Sequence, residues 1–198
     1  LGYAGHSSTI LSQNENLNLI ACDKDIEAIN FSLKKLEPFG SRVKIYKSNF
    51  SELISKLSSD EISNVRGILA DIGVSSLQID KDDRGFSLGS SALDMRMDKE
   101  APLTAEEDVN EYDSEQLLQI IRDYGEERWA KRIVEFIVNA RQENRITTTG
   151  ELVRIIKQAI PATARQDGPH PAKRTFQAIR IEVNREFAIL HDSFVDAV

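Results

Sequence analysis

The residues best placed to do chemistry open the chain. Leu1-Gly2-Tyr3-Ala4-Gly5-His6-Ser7 sets two glycines three apart ahead of a short helix to about Leu11, and Asp23 follows eighteen positions after Gly5, at the end of the apolar run Leu17–Cys22. Glycines let a backbone approach a ligand at a helix N-terminus, and a carboxylate at the tip of the next strand accepts both ribose hydroxyl hydrogens. This is half a nucleotide fingerprint: Ala4 replaces an expected glycine, and the strand that should precede the loop is not in the sequence. A plain tight turn accounts for it equally well. Asn49-Phe50 and Asp71 close two further predicted strands, and open parallel sheets bind ligands beyond such ends. An adenosyl ligand needs a ribose acceptor, an aromatic or apolar wall for its base and acceptors near its amino groups; Asp23, Phe50 and Asp71 supply these in that order. Taken singly, they are an exposed turn aspartate, a core phenylalanine and a strand-capping aspartate.

Other chemistries find less support. His6 beside Ser7 is no nucleophile and base pair, because neighbours on one helix turn point apart and no orienting acid is evident. Asp94 and Asp98 flank Arg96 as an ion-pair knot would, and Trp129 with the apolar positions around it is expected in a core. The single Cys22 excludes an internal disulfide, and the three scattered histidines offer no metal-binding spacing. No apolar run nears the roughly 20 residues of a membrane span and no signal peptide opens the chain, so a soluble cytoplasmic protein is expected. The net charge of −7 argues against a protein coated by nucleic acid. Its distribution is uneven: residues 1–100 carry −3, 101–127 carry −8, 128–185 carry +7 and 186–198 carry −3. The basic stretch is either a pair of solvated helical faces or an anion-binding surface.

The elements that must position these groups alternate in type. After the strand at Leu17–Cys22, Asp25 caps a helix with Ile26, Ile29, Leu33 and Leu36 at helical spacing and Gly40 as its stop signal. A strand at Val43–Lys47, a short helix marked by Leu53 and Leu57, and a nearly continuous apolar strand at Val65–Asp71 follow, the last suited to burial on both faces. Strands separated by helices predict an α/β fold with a parallel sheet. From Gly73 to about Pro102 no period survives, which predicts a long functional loop. Helices are then predicted at about 113–124, 126–143 and 148–160, the last opened by the capping box of Thr148 and Glu151. Beyond Pro161, Gly168, Pro169 and Pro171, one long helix is expected, with Phe176, Ile179, Val183, Phe187, Leu190 and Phe194 on one face.

Several stretches together carry a family resemblance. Ala4-Gly5-His6-Ser7, Asp71-Ile72-Gly73-Val74-Ser75-Ser76-x-Gln78, Asp83-Arg84-Gly85-Phe86-Ser87, Leu93-Asp94-Met95-Arg96-Met97-Asp98, Tyr124-Gly125-Glu126-Glu127-Arg128 and the long run from His170 to Asn184 resemble the bacterial N4-cytidine methyltransferases of 16S ribosomal RNA. The resemblance runs through the whole chain. It implies a class I, Rossmann-like S-adenosylmethionine fold with an inserted all-helical domain, acting on a decoding-centre cytidine. By the same resemblance Ala4, Gly5, His6, Asp23, Phe50, Asp71 and Gln78 bind S-adenosyl-L-methionine; alanine suits the first position unless a positive φ is required there. The Asp/Asn-Pro-Pro-aromatic tetrapeptide of many amino-group methyltransferases is replaced by Asp71-Ile72-Gly73-Val74. Asp71 and the carbonyls of the 72–76 loop are therefore expected around the reacting amine, with Asp71 as the catalytic candidate.

The expected organisation is a donor-binding domain over 1–100, a helical RNA-recognition insertion over 101–171 and a returning helix over 172–198. The chain is predicted to be a fragment lacking the first and last strands of the sheet. The expected partner is 16S ribosomal RNA or the small ribosomal subunit. Arg132, Arg141, Arg165, Lys173 and Arg174 are the candidate phosphate contacts, because a cytidine must leave its stack while the backbone is held. A nicotinamide oxidoreductase would share the glycine loop and Asp23, and a non-enzymatic RNA-binding scaffold would share the basic helices.

Overall fold

A computed structural model describes residues 1–89, 91–165 and 168–196, with side chains to residue 192. The fold is mixed α/β, mostly helical, with a small parallel sheet. The chain forms two compact units, one of residues 1–77, 97–99 and 186–198, the other of residues 78–96 and 100–185.

In the first unit, helix α1 (Gly5–Gln13) leads to strand β1 (Leu19–Asp23), helix α2 (Ile26–Leu36) and strand β2 (Val43–Lys47). The two strands pair in parallel, Leu19 opposite Val43 through Asp23 opposite Lys47. A parallel pair needs a crossover, and α2 supplies it. Asp25 caps α2 as predicted, its side chain accepting from the Glu27 N–H. Ala4, Leu11 and Leu36 form the buried apolar cluster, with Leu19, Phe39, Val43 and Ile45 packed on it.

The predicted helix around Leu53 and Leu57 is instead two 3₁₀ turns, Phe50–Glu52 and Ile54–Lys56, followed by a short helix α3 (Ser59–Ser63) with a Ser58–Glu61 capping box. The strand predicted at Val65–Asp71 does not form. Its apolar side chains are exposed, Ile68 at 74% and Leu69 at 64%, and among the described residues β1 pairs with β2 alone. The reason is physical: extended backbone becomes a strand only where a neighbour satisfies its N–H and C=O groups, and an apolar run without such a neighbour stays wet.

The second unit begins with α4 (Ser76–Ile79, whose last two residues belong here) and a 3₁₀ turn at Asp82–Arg84, so the loop predicted over 73–102 holds short helical pieces. Five longer helices follow: α5 (Ala105–Glu111), α6 (Ser114–Asp123), α7 (Ala130–Glu143), α8 (Thr149–Ala159) and α9 (Lys173–Val183). Their inward faces build one core, with Leu117, Ile121, Ile133, Ile137, Leu152, Ile156 and Ile179 all at or below 2% exposure. The Thr148–Glu151 capping box of α8 forms as predicted. Helix α7 starts later than the predicted residue 126, because Glu126 lies at φ 49°. Trp129 packs against the core, as expected. The single long C-terminal helix is in fact two: Arg185 at φ 51° ends the run after α9, and α10 (Glu186–Asp196) belongs to the first unit. A residue with positive φ cannot continue a right-handed helix. The Phe194 side chain lies outside the described residues. Among the described residues no helix is long and apolar enough to cross a membrane.

One core group breaks the apolar pattern. Asp108 on α5 is fully buried, neither carboxyl oxygen has a hydrogen-bond partner, and burial together with the charge of Glu182 holds its carboxyl well above the usual range. The folded chain thus keeps a proton there that the unfolded chain releases near pH 4, so this group's stabilising balance is lost as pH rises from about 4 toward the folded value. Asp108→Asn, which stays neutral, should gain stability over the parent progressively from pH 4.5 to 7.5 in urea titrations. A gap that does not change with pH would contradict the assignment.

Candidate functional site

The glycine turn, the end of β1 and the segment after residue 70 converge within the first unit. The Ala4 N–H donates to the Leu1 carbonyl at 2.8 Å, closing a turn that places Ala4 at φ 51° directly before α1. The position therefore does require positive φ, and alanine holds it at a cost of about 1 kcal/mol relative to glycine. Ala4 is completely buried, so its methyl group repays part of that cost by packing with Leu11 and Leu36. No side chain caps α1 and its first turn carries no acid, which leaves the leading N–H groups directed outward. A Cβ on Gly5 would meet no heavy atom within 4 Å.

Asp23 ties this turn to the sheet. Its Oδ2 accepts from the main-chain nitrogens of Leu1 at 2.9 Å and Gly2 at 3.4 Å, and its Oδ1 accepts from the Asp25 N–H at 2.9 Å. The strand-end carboxylate is held by backbone donors while still partly exposed. Next to it, burial pushes the Cys22 thiol up and the Lys24 ammonium down. Phe50 follows β2, three residues past Lys47, and is 37% exposed; since β1 and β2 run parallel, Asp23 and Phe50 both belong to the carboxyl end of the sheet.

The segment after residue 70 meets the turn at two points. His6 Nδ1 lies 3.1 Å from Asp71 Oδ2, and a Cβ on Gly2 would come 3.2 Å from the Ser75 Cβ. Asp71 is thus the acid partner of His6 that residue order did not reveal, which corrects the expectation that no orienting acid is present; Ser7 takes no part in that pair. Ala4, Gly5, His6, Asp23 and Asp71 form one connected set. Gln78 is buried and opens the second unit. Among the described residues no cluster of three His, Cys, Asp or Glu side chains suits a metal ion.

The expected RNA contacts are dispersed over the second unit. Arg132 is exposed on α7 with its guanidinium 5.5 Å from the Phe136 ring centre. Arg141 on the same helix donates to the Val109 carbonyl at 2.8 Å; nine residues apart, the two leave opposite sides of the helix. Arg165 closes the 3₁₀ turn Ala162–Arg165. Lys173 and Arg174 open α9, where Arg174 donates to the Glu126 carbonyl at 2.7 Å. Asp94 forms the expected knot with Arg96, accepting from its Nε at 3.0 Å and its Nη2 at 2.8 Å. Those bonds hold the Asp94 carboxyl below its usual value although burial alone would raise it. Asp98 belongs to the other unit. Sequence reasoning passed over Arg154 and Lys157, which share a concave surface with Arg165.

A parallel βαβ unit preceded by a glycine turn, beside a larger helical unit, makes this a mixed α/β protein with a small parallel sheet. Within that class, the chain belongs to the MraW methylase family, whose model matches residues 1–198. It is 73% identical over 186 residues to the ribosomal RNA small subunit methyltransferase H of Campylobacter concisus, covering 94% of this chain and 60% of that protein. The protein of that name from Campylobacter curvus is 55% identical, with coverage of 96% and 61%. The one from Brevibacillus brevis is 49% identical, with coverage of 100% and 64%. The chain therefore spans about three fifths of the length of these curated relatives.

Proposed function

We propose that this chain carries the donor site and RNA-gripping helices of an S-adenosyl-L-methionine-dependent methyltransferase that modifies the exocyclic N4 of a cytidine in 16S ribosomal RNA. The observation that carries the reading is the contact of the Asp71–Ser76 segment with the glycine turn, through His6 and Asp71 at 3.1 Å. It joins the two stretches that a transfer reaction must bring together, a nucleoside-holding turn and a loop rich in acceptors. The relatives' names supply the substrate class.

The bound donor would supply an electrophilic sulfonium methyl group; the chain's own residues do the rest. Asp23 accepts from the ribose hydroxyls, Phe50 walls the adenine, and Ala4, Gly5 and His6 complete the donor's surroundings within the first unit. Asp71 and the carbonyls of residues 72–76 accept hydrogen bonds from the amino group. Cytosine N4 is a poor nucleophile because its lone pair is delocalised into the ring; acceptors on its hydrogens favour a pyramidal nitrogen, and fixing its position removes most of the orientational cost. His6, held by Asp71, helps keep that carboxylate in place.

The finer architecture belongs to the same proposal. It is a class I Rossmann-like sheet in which residues 65–71 pair with strands beyond these 198 residues, a reading supported by the exposed apolar side chains of Ile68 and Leu69. Residues 1–100 then serve the donor, 101–171 the RNA, and 172–198 the return to the sheet, in an enzyme working in the cytoplasm on 16S ribosomal RNA or the small subunit. Arg132, Arg165 and Lys173 meet phosphates directly, while Arg141 and Arg174 retain donors beyond those spent on carbonyls. The deciding experiment incubates the full-length protein with labelled donor and small-subunit RNA or subunits, then analyses nucleosides. Label in N4-methylcytidine is expected; label elsewhere or none refutes the reading.

A further inference from the structure

We infer that one face of α8, closed by the Ala162–Arg165 turn, is a groove for the phosphodiester backbone of a single RNA strand. This deepens the reading of RNA as substrate and rests on it, adding where the strand lies and which residues hold it.

The groove has a volume of about 390 Å³ and is lined by Gly150, Val153, Arg154, Lys157, Gln158 and Arg165. The five residues from α8 recur at i, i+3, i+4, i+7 and i+8, a continuous stripe along the helix. That stripe extends roughly 12 Å at 1.5 Å per residue. The opposite face, carrying Leu152, Ile155, Ile156 and Ala159, is buried in the core, so the helix is anchored behind the groove and can present it rigidly.

Charge decides the occupant. Three of the six lining residues are cations and none is an acid, in a chain whose net charge is −7. Among the described residues no carboxylate lies within ion-pair distance of Arg154, Lys157 or Arg165. Glu151, the acid nearest on the helix, is turned away and accepts from the Thr147 and Thr148 N–H groups at 3.0 Å. A phosphodiester backbone supplies the missing negative charge at regular spacing. The exposed Gln158 amide, on the same stripe, can meet a 2′-hydroxyl. The groove is one helical stripe wide, which suits one strand rather than a duplex. The His170 imidazole, three residues before Lys173, is held below its ordinary range by burial and by the Lys157 ammonium.

The test uses the full-length protein and purified small-subunit RNA, with affinity read by fluorescence anisotropy between about 50 and 200 mM salt. Arg154→Ala with Lys157→Ala should weaken binding at least about tenfold and lower the slope of log affinity against log salt by about 1.4, two single-strand contacts. Arg154→Lys with Lys157→Arg should stay near the parent. Donor affinity by calorimetry and the melting temperature should not move in either variant. Parent-like affinity and slope in the alanine variant would overturn the groove while leaving RNA methylation standing. A parent protein that fails to bind RNA would instead remove the reading beneath it. Displacement of the RNA by polyglutamate as readily as by polyuridylate, at equal charge, would reduce the groove to a general anion patch and overturn it as well.

Discussion

Asp23→Ala should weaken binding of S-adenosyl-L-methionine by about ten- to a hundredfold in the full-length enzyme. A hydrogen bond to a charged group contributes on the order of 1.5–3 kcal/mol, and each 1.4 kcal/mol is roughly a factor of ten. Two losses combine at this position. The ribose loses its charged acceptor, and the glycine turn loses the carboxylate that accepts from the Gly2 N–H. The effect should therefore lie toward the upper end. Asp23→Asn separates the two contributions, since an amide oxygen still accepts from one of these partners but without the charge, and its loss should be intermediate. Titration calorimetry reads all three proteins; an unchanged dissociation constant for the alanine variant would remove Asp23 from the donor site.

Gly85→Ala should destabilise the helical unit by about 2–5 kcal/mol, a large part of the 5–15 kcal/mol that holds a typical domain. Gly85 sits at φ 72°, and a Cβ there would lie 2.5 Å from the Ala92 carbonyl oxygen and 2.8 Å from the Asp94 nitrogen. The left-handed backbone costs an L-residue roughly 1–2 kcal/mol, and displacing a packed backbone adds about 1–3 kcal/mol. The displaced strand is not idle: the Met95 N–H donates to the Arg84 carbonyl at 3.0 Å, and the buried Arg84 guanidinium donates to the Arg96 carbonyl at 3.1 Å. Gly40→Ala is the control, with φ 54° but no heavy atom within 4 Å of the added carbon. Its backbone, at φ 54° and ψ −129°, lies outside the left-handed helical well in a region that favours glycine, so the cost is conformational alone, about 1–3 kcal/mol. Urea midpoints that rank the two variants equally would show that the close approach at Gly85 relaxes freely.

Where a feature was written locally, the sequence disclosed it. The apolar runs of β1 and β2, the Asp25 cap of α2 and the Thr148–Glu151 box each depend on residues within a few positions of one another, and each formed as expected. Residues 65–71 carry the strongest strand composition in the chain, yet composition cannot supply a ladder partner. The division between α9 and α10 was hidden for a different reason: the apolar period passes through Phe176, Ile179, Val183 and Phe187, while the backbone reverses φ at Arg185, a residue type that does not announce such a turn. The candidate donor contacts follow from residue types, strand ends and the family resemblance, but the pairing of His6 with Asp71 spans 65 positions and has no local signature. Arg154 and Lys157 were simply two cations in a basic stretch until the helix placed them on one stripe with Arg165.

The unequal cores of the two units imply unequal lifetimes for their closed states. Among the described residues the second unit joins apolar side chains from Leu93 to Val183 in a single buried cluster, whereas the corresponding cluster of the first unit unites Ala4, Leu11 and Leu36, with Leu19, Phe39, Val43 and Ile45 packed on it. Amide protons on α7 and α8 should consequently exchange with deuterium only through rare, large openings, while those of β1 and β2 exchange through frequent local ones. In this chain the glycine turn is mounted on the more readily opened unit, so a ligand gripping it would slow exchange at β1 far more than in the helical unit.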